Sequence, residues 1–346
     1  MSRKQKYIDV SERILSFIKK EKLKDGERLP SEKQLASGFG VNHMTVRKAL
    51  EVLNKEGAIS KIPSRGNFVG KSAAPLSKSR LIGVVFPEYN TFFSEILSGL
   101  ESRMNIFGAS PVVHFTRGSA ERERRIIENL TEIGVEGLIS APSLSCAGEY
   151  RELRVPSVFF DSYIDNMDIP CVVTDDRAGA FAAVEHLILM GHKSIAYVGS
   201  RDKTSAIRKT GYLDALSRYS LKMNPAFCLE KEYSRQWGFD AAVSLVSGKE
   251  KPTAIFCAND AIAAGVIGYM TSRSLRAPDD CSVVGFGNMG FSEDIGLSTV
   301  DQPVSLIVEN IWKNMVMLRN GEKVTGKTVI PTTLIVRRTS ARPARK

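Results

Sequence analysis

The chain has 346 residues, of which 43% are hydrophobic, so it is long enough for two or three domains with buried cores. Its formal net charge is +10. Residues 1–80 hold all of that excess, with 18 Lys and Arg against 8 Asp and Glu, whereas residues 81–346 hold 30 of each. A basic excess confined to one small segment predicts that this segment meets nucleic-acid phosphates and that the remainder does not.

Several functional classes find no support in the residue patterns. The five cysteines show no paired spacing, which is typical of a protein in a reducing cytoplasm. No apolar run approaches the roughly 18 residues of a membrane helix, and no secretion signal follows the N-terminal basic residues. The four histidines form no metal-binding spacing, and neither a Walker loop nor a Gly-x-Ser-x-Gly motif occurs. We therefore expect a cytoplasmic protein that is not an enzyme and uses no membrane, metal or cofactor.

The first predicted elements are three helices and a hairpin. Apolar residues recur at helical spacing from Val10 to Ile18, and Ser31 with Gln34 forms a capping box before a second, short helix. Asn42 is predicted to cap a third helix, whose apolar face comprises Val46, Ala49, Leu50 and Leu53. The runs 58–62 and 66–69 are predicted to pair around a tip at residues 63–65. Together these elements predict a winged helix-turn-helix.

Segment 26–69 resembles the GntR-type winged helix. The resemblance rests on a Leu-Pro-Ser-Glu start, a Phe-Gly-Val junction, the run Thr-Val-Arg-Lys-Ala-Leu and a wing ending in Phe-Val. It implies binding to operator DNA through the start of the first paired helix, the groove-facing helix and the wing, at Glu32, Lys33, His43, Thr45, Arg47, Arg65 and Gly66. Many members carry Arg at the position of His43 and Gly at that of Ser64, so base preference and wing depth stay open. The alternative is a solvated basic helix without a partner.

Beyond this segment the pattern changes. Residues 71–80 are small, polar and basic, and are predicted to be a linker. From residue 81, apolar runs predict strands at 81–86, 111–115, 136–140, 157–161, 194–199, 254–258 and 282–286. Amphipathic stretches predict helices at 92–107, 120–133, 177–190, 206–219, 238–246 and 261–272. This repeated βαβ pattern predicts two similar lobes with a cleft, and hence domains 1–70 and 81–346 on either side of the linker.

Residues 81–346 resemble the effector domain of LacI-type repressors, which has a periplasmic-binding-protein-like fold. The matching runs are VVTDDRAGAFAAVEHLILMGHKSIAYVGS, PTAIFCANDAIAAG, APDDCSVVGFG and TLIVRRTS. The Ala-rich hinge helix of LacI-type proteins is absent from the linker. The expected fold class is therefore an α+β winged helix-turn-helix followed by a two-lobed α/β periplasmic-binding-protein-like domain, and we expect a homodimer.

The second resemblance also implies an effector site. A sugar offers hydroxyls and an apolar ring face, which suit bidentate polar groups beside an aromatic platform. The implied residues are Phe92, Phe93, Ser143, Asp161, Arg208, Tyr233, Asn259 and Asn288. Asn288 is included as the nearest polar side chain because Gly287 stands where the family carries an acid. Two alternatives stay open: Phe92 or Phe93 belongs to the core, and Asp161 with Arg208 forms an ion pair that only stabilises the lobes.

Two neighbouring features of the larger segment are expected to be structural or accidental. Asp260 is expected to cap the helix that follows it. Residues 285–290 spell GxGxxG after a strand, but no long helix follows and Ser305 is no ribose-binding acid, so a dinucleotide site is disfavoured.

The interpretation of the whole chain is a transcriptional repressor that releases double-stranded operator DNA when a small molecule, expected to be a sugar, binds the cleft. Three alternatives remain: an activator, a sensor of a nucleobase or nucleoside, and a small-molecule binding protein without DNA function.

Overall fold

The computed structural model describes residues 3–24, 26–55, 58–62, 66–70, 80–143, 146–248 and 250–343. The chain forms two compact units, Met1–Ser79 and Arg80–Lys346. The wing tip at 63–65 and most of the predicted linker, residues 71–79, lie outside the described residues. Among the helices in the described ranges, none is long and apolar enough to cross a membrane.

The smaller unit contains helices α1 (Arg3–Lys20), α2 (Glu32–Phe39) and α3 (His43–Lys55), and strands β1 (Ile59–Ile62) and β2 (Gly66–Val69). The predicted capping box is confirmed, because Ser31 accepts a hydrogen bond from the Gln34 amide and the Gln34 side chain accepts one from the Ser31 amide. Gly40 ends α2 with φ of +65°, which favours glycine. The Asn42 side chain accepts a 2.8 Å bond from the Met44 amide, as expected of a cap for α3.

The core of the smaller unit joins all three helices to the hairpin. The four apolar residues predicted on α3 are each at most 3% exposed, and they pack with Val10, Ile14, Leu35, Ile59 and Val69. Strands β1 and β2 pair antiparallel, with Ile59 opposite Val69. Residues 26–29 were not predicted to join this sheet, but the Leu29 amide donates to Asn67 across 2.8 Å and so ties the start of α2 to the wing.

The first lobe of the larger unit is a six-stranded parallel sheet with helices packed against it. Its elements are β3 (Arg80–Phe86), α4 (Thr91–Ile106), β4 (Ala109–Phe115), α5 (Ala120–Ile133), β5 (Gly137–Ser140), α6 (Ala147–Glu152), β6 (Ser157–Phe160), β7 (Cys171–Thr174), α12 (Val304–Arg319) and β13 (Lys327–Ile330). The strand order is β13-β7-β6-β5-β3-β4.

The second lobe repeats this plan with one antiparallel edge strand. It contains α7 (Asp176–Leu189), β8 (Ile195–Ser200), α8 (Lys203–Arg218), β9 (Cys228–Lys231), α9 (Arg235–Ser247), β10 (Ala254–Cys257), α10 (Asp260–Ser272), β11 (Ser282–Gly287), α11 (Phe291–Asp294), β12 (Ser298–Asp301) and β14 (Thr333–Ile335). The strand order is β14-β12-β11-β10-β8-β9, with β14 antiparallel to β12.

The chain crosses between the lobes three times, after β7, after β12 and after β13. The predicted two-lobed α/β fold is thus confirmed, and each of the seven predicted strands and six predicted helices is present. Strands β7, β9, β12, β13 and β14 and helices α6, α11 and α12 were not predicted. Because the chain returns to the first lobe after β12, that lobe is completed by residues distant in sequence.

Candidate DNA-reading surface and effector cleft

Two helix starts meet on the surface of the smaller unit. Glu32 is the first residue of α2 and His43 the first of α3, and Nε2 of His43 lies 3.0 Å from Oε2 of Glu32. The His43 side chain is 51% exposed and that of Glu32 24%. Nζ of Lys61, on β1, lies 4.0 Å from the other Glu32 oxygen. This carboxylate therefore links both helices to the wing.

The rest of the predicted reading surface lies on the exposed face of α3 and at the neighbouring helix start. Lys33 and Arg47 are exposed and Thr45 is half-buried, while Nε of Arg47 lies 3.8 Å from Glu51 one turn along. Gly66 begins β2 with φ of +111°, and a Cβ there would lie 3.3 Å from Nε of Arg28. Arg65 lies outside the described residues. These placements leave the predicted DNA contacts as predictions.

A cavity of about 800 Å³ lies between the lobes of the larger unit. Residues that follow or lie near strand ends in both lobes line it, as is usual for ligand sites in open α/β sheets. Seven of the eight predicted effector residues are among them: Phe92, Phe93, Ser143, Asp161, Arg208, Tyr233 and Asn259. Asn288 is not, and the same side of the cavity is lined by Met289 and Gln302, which the sequence did not indicate.

The two phenylalanines occupy different environments. Phe93 is only 4% exposed and packs 5.2 Å from Phe86 in the core of the first lobe, measured between ring centroids. Phe92 is half-buried, with its ring centroid 5.3 Å from that of Phe93. The core interpretation therefore applies best to Phe93, and Phe92 offers the more accessible ring.

Arg208 is 4% exposed and its guanidinium is already engaged by the second lobe. Nη1 donates to the Ala258 carbonyl across 2.7 Å and Nη2 donates to Asp176 across 3.3 Å, while the guanidinium carbon lies 3.8 Å from the Phe286 ring centroid. The alternative in which Arg208 forms an ion pair with Asp161 was wrong, because the ion pair is with Asp176, which is 6% exposed. Nε of Arg208 is buried and has no partner among the described residues.

Asp161 lies at the end of β6 with φ of +60°, a left-handed conformation that Asp tolerates better than most residues. Burial raises the pKa of its carboxyl to about 7, with a further contribution from the charge of Asp176 that Arg208 partly offsets. Asp202 and Glu88 add to this rise. Burial likewise raises the pKa of Glu88, and a hydrogen bond from Asn90 opposes it. Several carboxyl groups therefore lie near Asp161 and raise its pKa.

Glu123 is a lining residue that the sequence did not reveal. It is 1% exposed on α5, and its carboxylate accepts 2.9 and 3.1 Å bonds from the Ser143 amide and a 2.7 Å bond from the Tyr150 hydroxyl. Burial raises its pKa, which these hydrogen bonds oppose. The Tyr233 hydroxyl, in contrast, is buried without a hydrogen-bond partner among the described residues.

The expectation that Asp260 caps α10 was wrong. Asn259, not Asp260, caps α10, because its side chain accepts a 2.8 Å bond from the Ile262 amide. Asp260 instead accepts hydrogen bonds from Ser292, Thr299 and the Met289 amide, so it is structural in a different role.

Asn288 is directed to neighbours within the second lobe. Its Nδ2 donates to Asp301 and its Oδ1 accepts from Arg337, each across 2.8 Å. With φ of +48°, the residue turns at the end of β11, and both ends of its amide are occupied. The structure therefore does not bring Asn288 to the cavity with the other predicted residues.

Contacts between the lobes flank the cavity. Nζ of Lys203, at the start of α8, donates to the Tyr163 carbonyl across 3.3 Å and lies 3.6 Å from the centroid of the Tyr163 ring. Nε2 of Gln302 donates to the Thr174 hydroxyl across 3.0 Å, beside one of the crossover segments. Any change in the angle between the lobes must alter these contacts.

Comparison with known proteins agrees with both units. Residues 6–69 match the model of bacterial regulatory proteins of the gntR family, and residues 184–340 match that of a periplasmic binding protein-like domain. The arabinose metabolism transcriptional repressor of Geobacillus stearothermophilus is 28% identical over 96% of each chain. The probable HTH-type transcriptional repressor ExuR of Bacillus subtilis is 28% identical over 88% of this chain and 96% of its own.

Solved structures resemble the larger unit. A dimeric Lac repressor with an 11-residue C-terminal deletion has a TM-score of 0.71 at 27% identity, covering 76% of this chain and all of that chain. A LacI-family regulator from Mycobacterium smegmatis has a TM-score of 0.69 at 25% identity with the same coverage. The chain therefore joins a segment that matches the gntR-family winged helix to a domain that is similar to those of LacI-family regulators.

Proposed function

We propose that the protein is a ligand-responsive transcriptional repressor that binds double-stranded operator DNA through its N-terminal unit and loses that binding when a sugar occupies the cavity between the lobes. The observation that carries the proposal is the presence, in one chain, of a gntR-family winged helix and a cavity of about 800 Å³ between lobes joined by three crossovers. The two relatives described above, which cover 88% or more of this chain, are both named as transcriptional repressors.

The DNA side of the proposal rests on charge and shape. The net charge of residues 1–80 is +10, and the exposed face of α3 carries His43, Arg47 and Lys48 opposite its buried face. A helix of this kind enters the major groove with its N-terminal residues toward base edges, while lysines contact phosphates. Because each winged-helix unit is small, the proposal includes a homodimer that reads two DNA half-sites. It also includes action in the cytoplasm, where chromosomal DNA is the partner.

The ligand side rests on the difference between two lobe arrangements. A ligand can shift an equilibrium only by as much as its affinity for the two states differs. A ligand held by residues of both lobes, such as Asp161 and Arg208, favours an arrangement in which the lobes approach each other. The proposed consequence is a change in the positions of the segments that lead to the two reading heads, so that they no longer fit their half-sites.

The charges in the deep part of the cavity favour a neutral ligand. Arg208 is neutralised by Asp176, whereas Asp161 experiences the charges of Asp202 and Glu88. The cationic side chains Arg117, Arg122 and Lys231 at the rim are exposed and therefore screened by solvent, and the half-buried Lys203 lies 3.7 Å from the carboxylate of Asp165. A uronic acid or a sugar phosphate would bring another negative charge close to Asp161 and Glu88, which are both half-buried. A neutral sugar can instead donate hydroxyls to Asp161, accept from Nε of Arg208 and pack its ring on Phe92.

A direct experiment combines ligand titration with operator release. Calorimetry with neutral pentoses and hexoses, their matched uronic acids and a set of nucleosides tests the ligand class; pentoses come first because one relative is named for arabinose metabolism. Mobility-shift assays on fragments of the protein's own promoter, over a range of salt, test the DNA function. We expect a neutral sugar to bind and to release the DNA. Binding of uronic acids alone would contradict the charge argument, and failure to bind any promoter fragment would contradict the proposed function.

A nucleoside or nucleobase is the second candidate ligand, favoured by the aromatic wall of the first lobe. Tyr89 and Phe115 have ring centroids 5.8 Å apart and line the cavity together with Phe92. Flat rings stack well on such side chains. The same calorimetric panel separates the two ligand classes, and a reporter gene behind the bound promoter separates repression from activation.

A further inference from the structure

We propose that Glu32 fixes the proton of the neutral His43 ring on Nε2 and thereby makes Nδ1 a hydrogen-bond acceptor that selects adenine or cytosine in the major groove. The inference rests on the proposed DNA-binding function and adds a rule for base choice to it. Glu32 is then a positioning residue that acts through His43.

The contact between the two side chains defines which nitrogen carries the proton. Nε2 of His43 lies 3.0 Å from Oε2 of Glu32, a normal hydrogen-bond length. An ionised carboxylate has lone pairs but no proton to donate, so the nitrogen facing it must be the donor. A neutral imidazole has one N–H only. The second nitrogen, Nδ1, is consequently left with a lone pair.

Both side chains project from fixed backbone positions. Glu32 follows Ser31, whose capping box with Gln34 sets the start of α2, and His43 follows Asn42, whose side chain caps α3. Lys61 lies 4.0 Å from the free oxygen of Glu32 and keeps a positive charge beside the carboxylate. These anchors hold the contact in place, although the pair is too exposed to contribute much to stability.

Nδ1 is available to a base. The His43 side chain is 51% exposed, and no described residue makes a hydrogen bond to its Nδ1. In the major groove, adenine presents an N6 amino donor and cytosine an N4 amino donor, whereas guanine presents the acceptors N7 and O6. An acceptor at Nδ1 therefore matches adenine or cytosine and opposes guanine. Arginine, which many GntR-type domains carry here, donates only and prefers guanine.

Nitrogen-15 NMR of the full-length protein tests the proton position without DNA. Selective labelling of histidine gives four side chains to resolve, and His43→Gln identifies one of them. At about pH 8 we expect His43 in the Nε2–H form. In Glu32→Gln the amide can either accept or donate, so both forms should be populated. Glu12→Gln, an exposed carboxylate lost from α1, should leave the signal unchanged. A dominant Nδ1–H form, or no effect of Glu32→Gln, overturns the proposal.

Selection from randomised duplexes tests base choice at the same pH. His43→Ala identifies the base pair read by His43, and we expect adenine or cytosine there in the wild type and in Glu12→Gln. In Glu32→Gln the preference over guanine should fall about tenfold, with unchanged melting temperature. Guanine at that position, or a preference that survives Glu32→Gln, overturns the inference while leaving the DNA function intact. If no duplex is enriched by the wild type, the proposed function and the base rule both fail, and the NMR result still decides the proton position.

Discussion

Arg208 is expected both to stabilise the second lobe and to bind the ligand, and variants of Arg208 can separate these two roles. In Arg208→Met the side chain keeps similar length but loses its charge, so Asp176 becomes an unpaired carboxylate at 6% exposure and the Ala258 carbonyl loses its donor. Breaking a buried pair by removing one partner costs roughly 3 to 5 kcal/mol. For a domain of this size we expect the melting temperature of the larger unit to fall by about 10 °C in calorimetry.

The double variant Arg208→Met with Asp176→Asn isolates the ligand contribution. Without an unpaired buried charge, most of the lost stability should return, because neither partner is left ionised. Ligand affinity should stay low. Nε is the one guanidinium nitrogen of Arg208 without a partner among the described residues, so we expect the loss of at least one charge-assisted bond worth about 1.5 to 3 kcal/mol, or roughly a tenfold to hundredfold weaker affinity.

Titration calorimetry with the sugar identified in the ligand panel provides the measurement, with operator affinity as the control that neither variant should change. Wild-type ligand affinity in the double variant would show that Arg208 only stabilises the lobe. A wild-type melting temperature in Arg208→Met would refute the energetic argument for the buried pair.

Three further predictions concern charge. Because the pKa of Asp161 is raised to about 7, the contribution of this carboxyl to folding stability is present below about pH 4 and is lost as the pH rises through 7. Ligand affinity should rise as the pH rises through 7, because the ionised carboxylate accepts a hydrogen bond from a ligand hydroxyl. Asp161→Asn should remove this pH dependence of affinity in calorimetry at several pH values. Arg47→Ala should weaken operator binding in shift assays by about 1 to 3 kcal/mol without changing ligand binding. In isolation, residues 1–70 should bind DNA weakly and with a steep salt dependence, while residues 78–346 should dimerise and bind ligand but not DNA; DNA binding by the larger fragment would contradict this division.

Local chemistry made the helices and central strands predictable. The caps at Ser31 and Asn42, the apolar face of α3 and the seven apolar runs of the larger unit are short-range signals, and the structure retains them. The last part of the chain was harder because its pairing is not local. Strand β13 has only four residues and pairs with β7, about 150 residues earlier, and β14 has only three. Nothing in such short runs specifies which sheet they join.

The predicted cleft residues likewise divide into positions that the sequence predicts and contacts that only the packing of the fold determines. Strand-end positions brought Asp161, Tyr233 and Asn259 to one cavity, as the resemblance implied. The partner of Arg208 was not predictable, since both Asp161 and Asp176 are acids near strand ends and only packing decides between them. Asn288 does not reach the cavity because the chain turns at the end of β11 through two residues with positive φ, Gly287 and Asn288, and the Asn288 amide is bound by Asp301 and Arg337.

The return of the chain to the first lobe has a consequence for the order of synthesis. Helix α12 buries Ile307, Val308, Ile311, Trp312 and Met315 in the core of that lobe, and β13 completes its sheet. Domains fold as units while the ribosome is still elongating the chain, the N-terminal one first. The reading head can therefore be complete long before the sensor, whose first lobe must wait for residues 304–330. A chain halted at residue 300 would carry a folded winged-helix unit next to a first lobe that lacks α12 and β13.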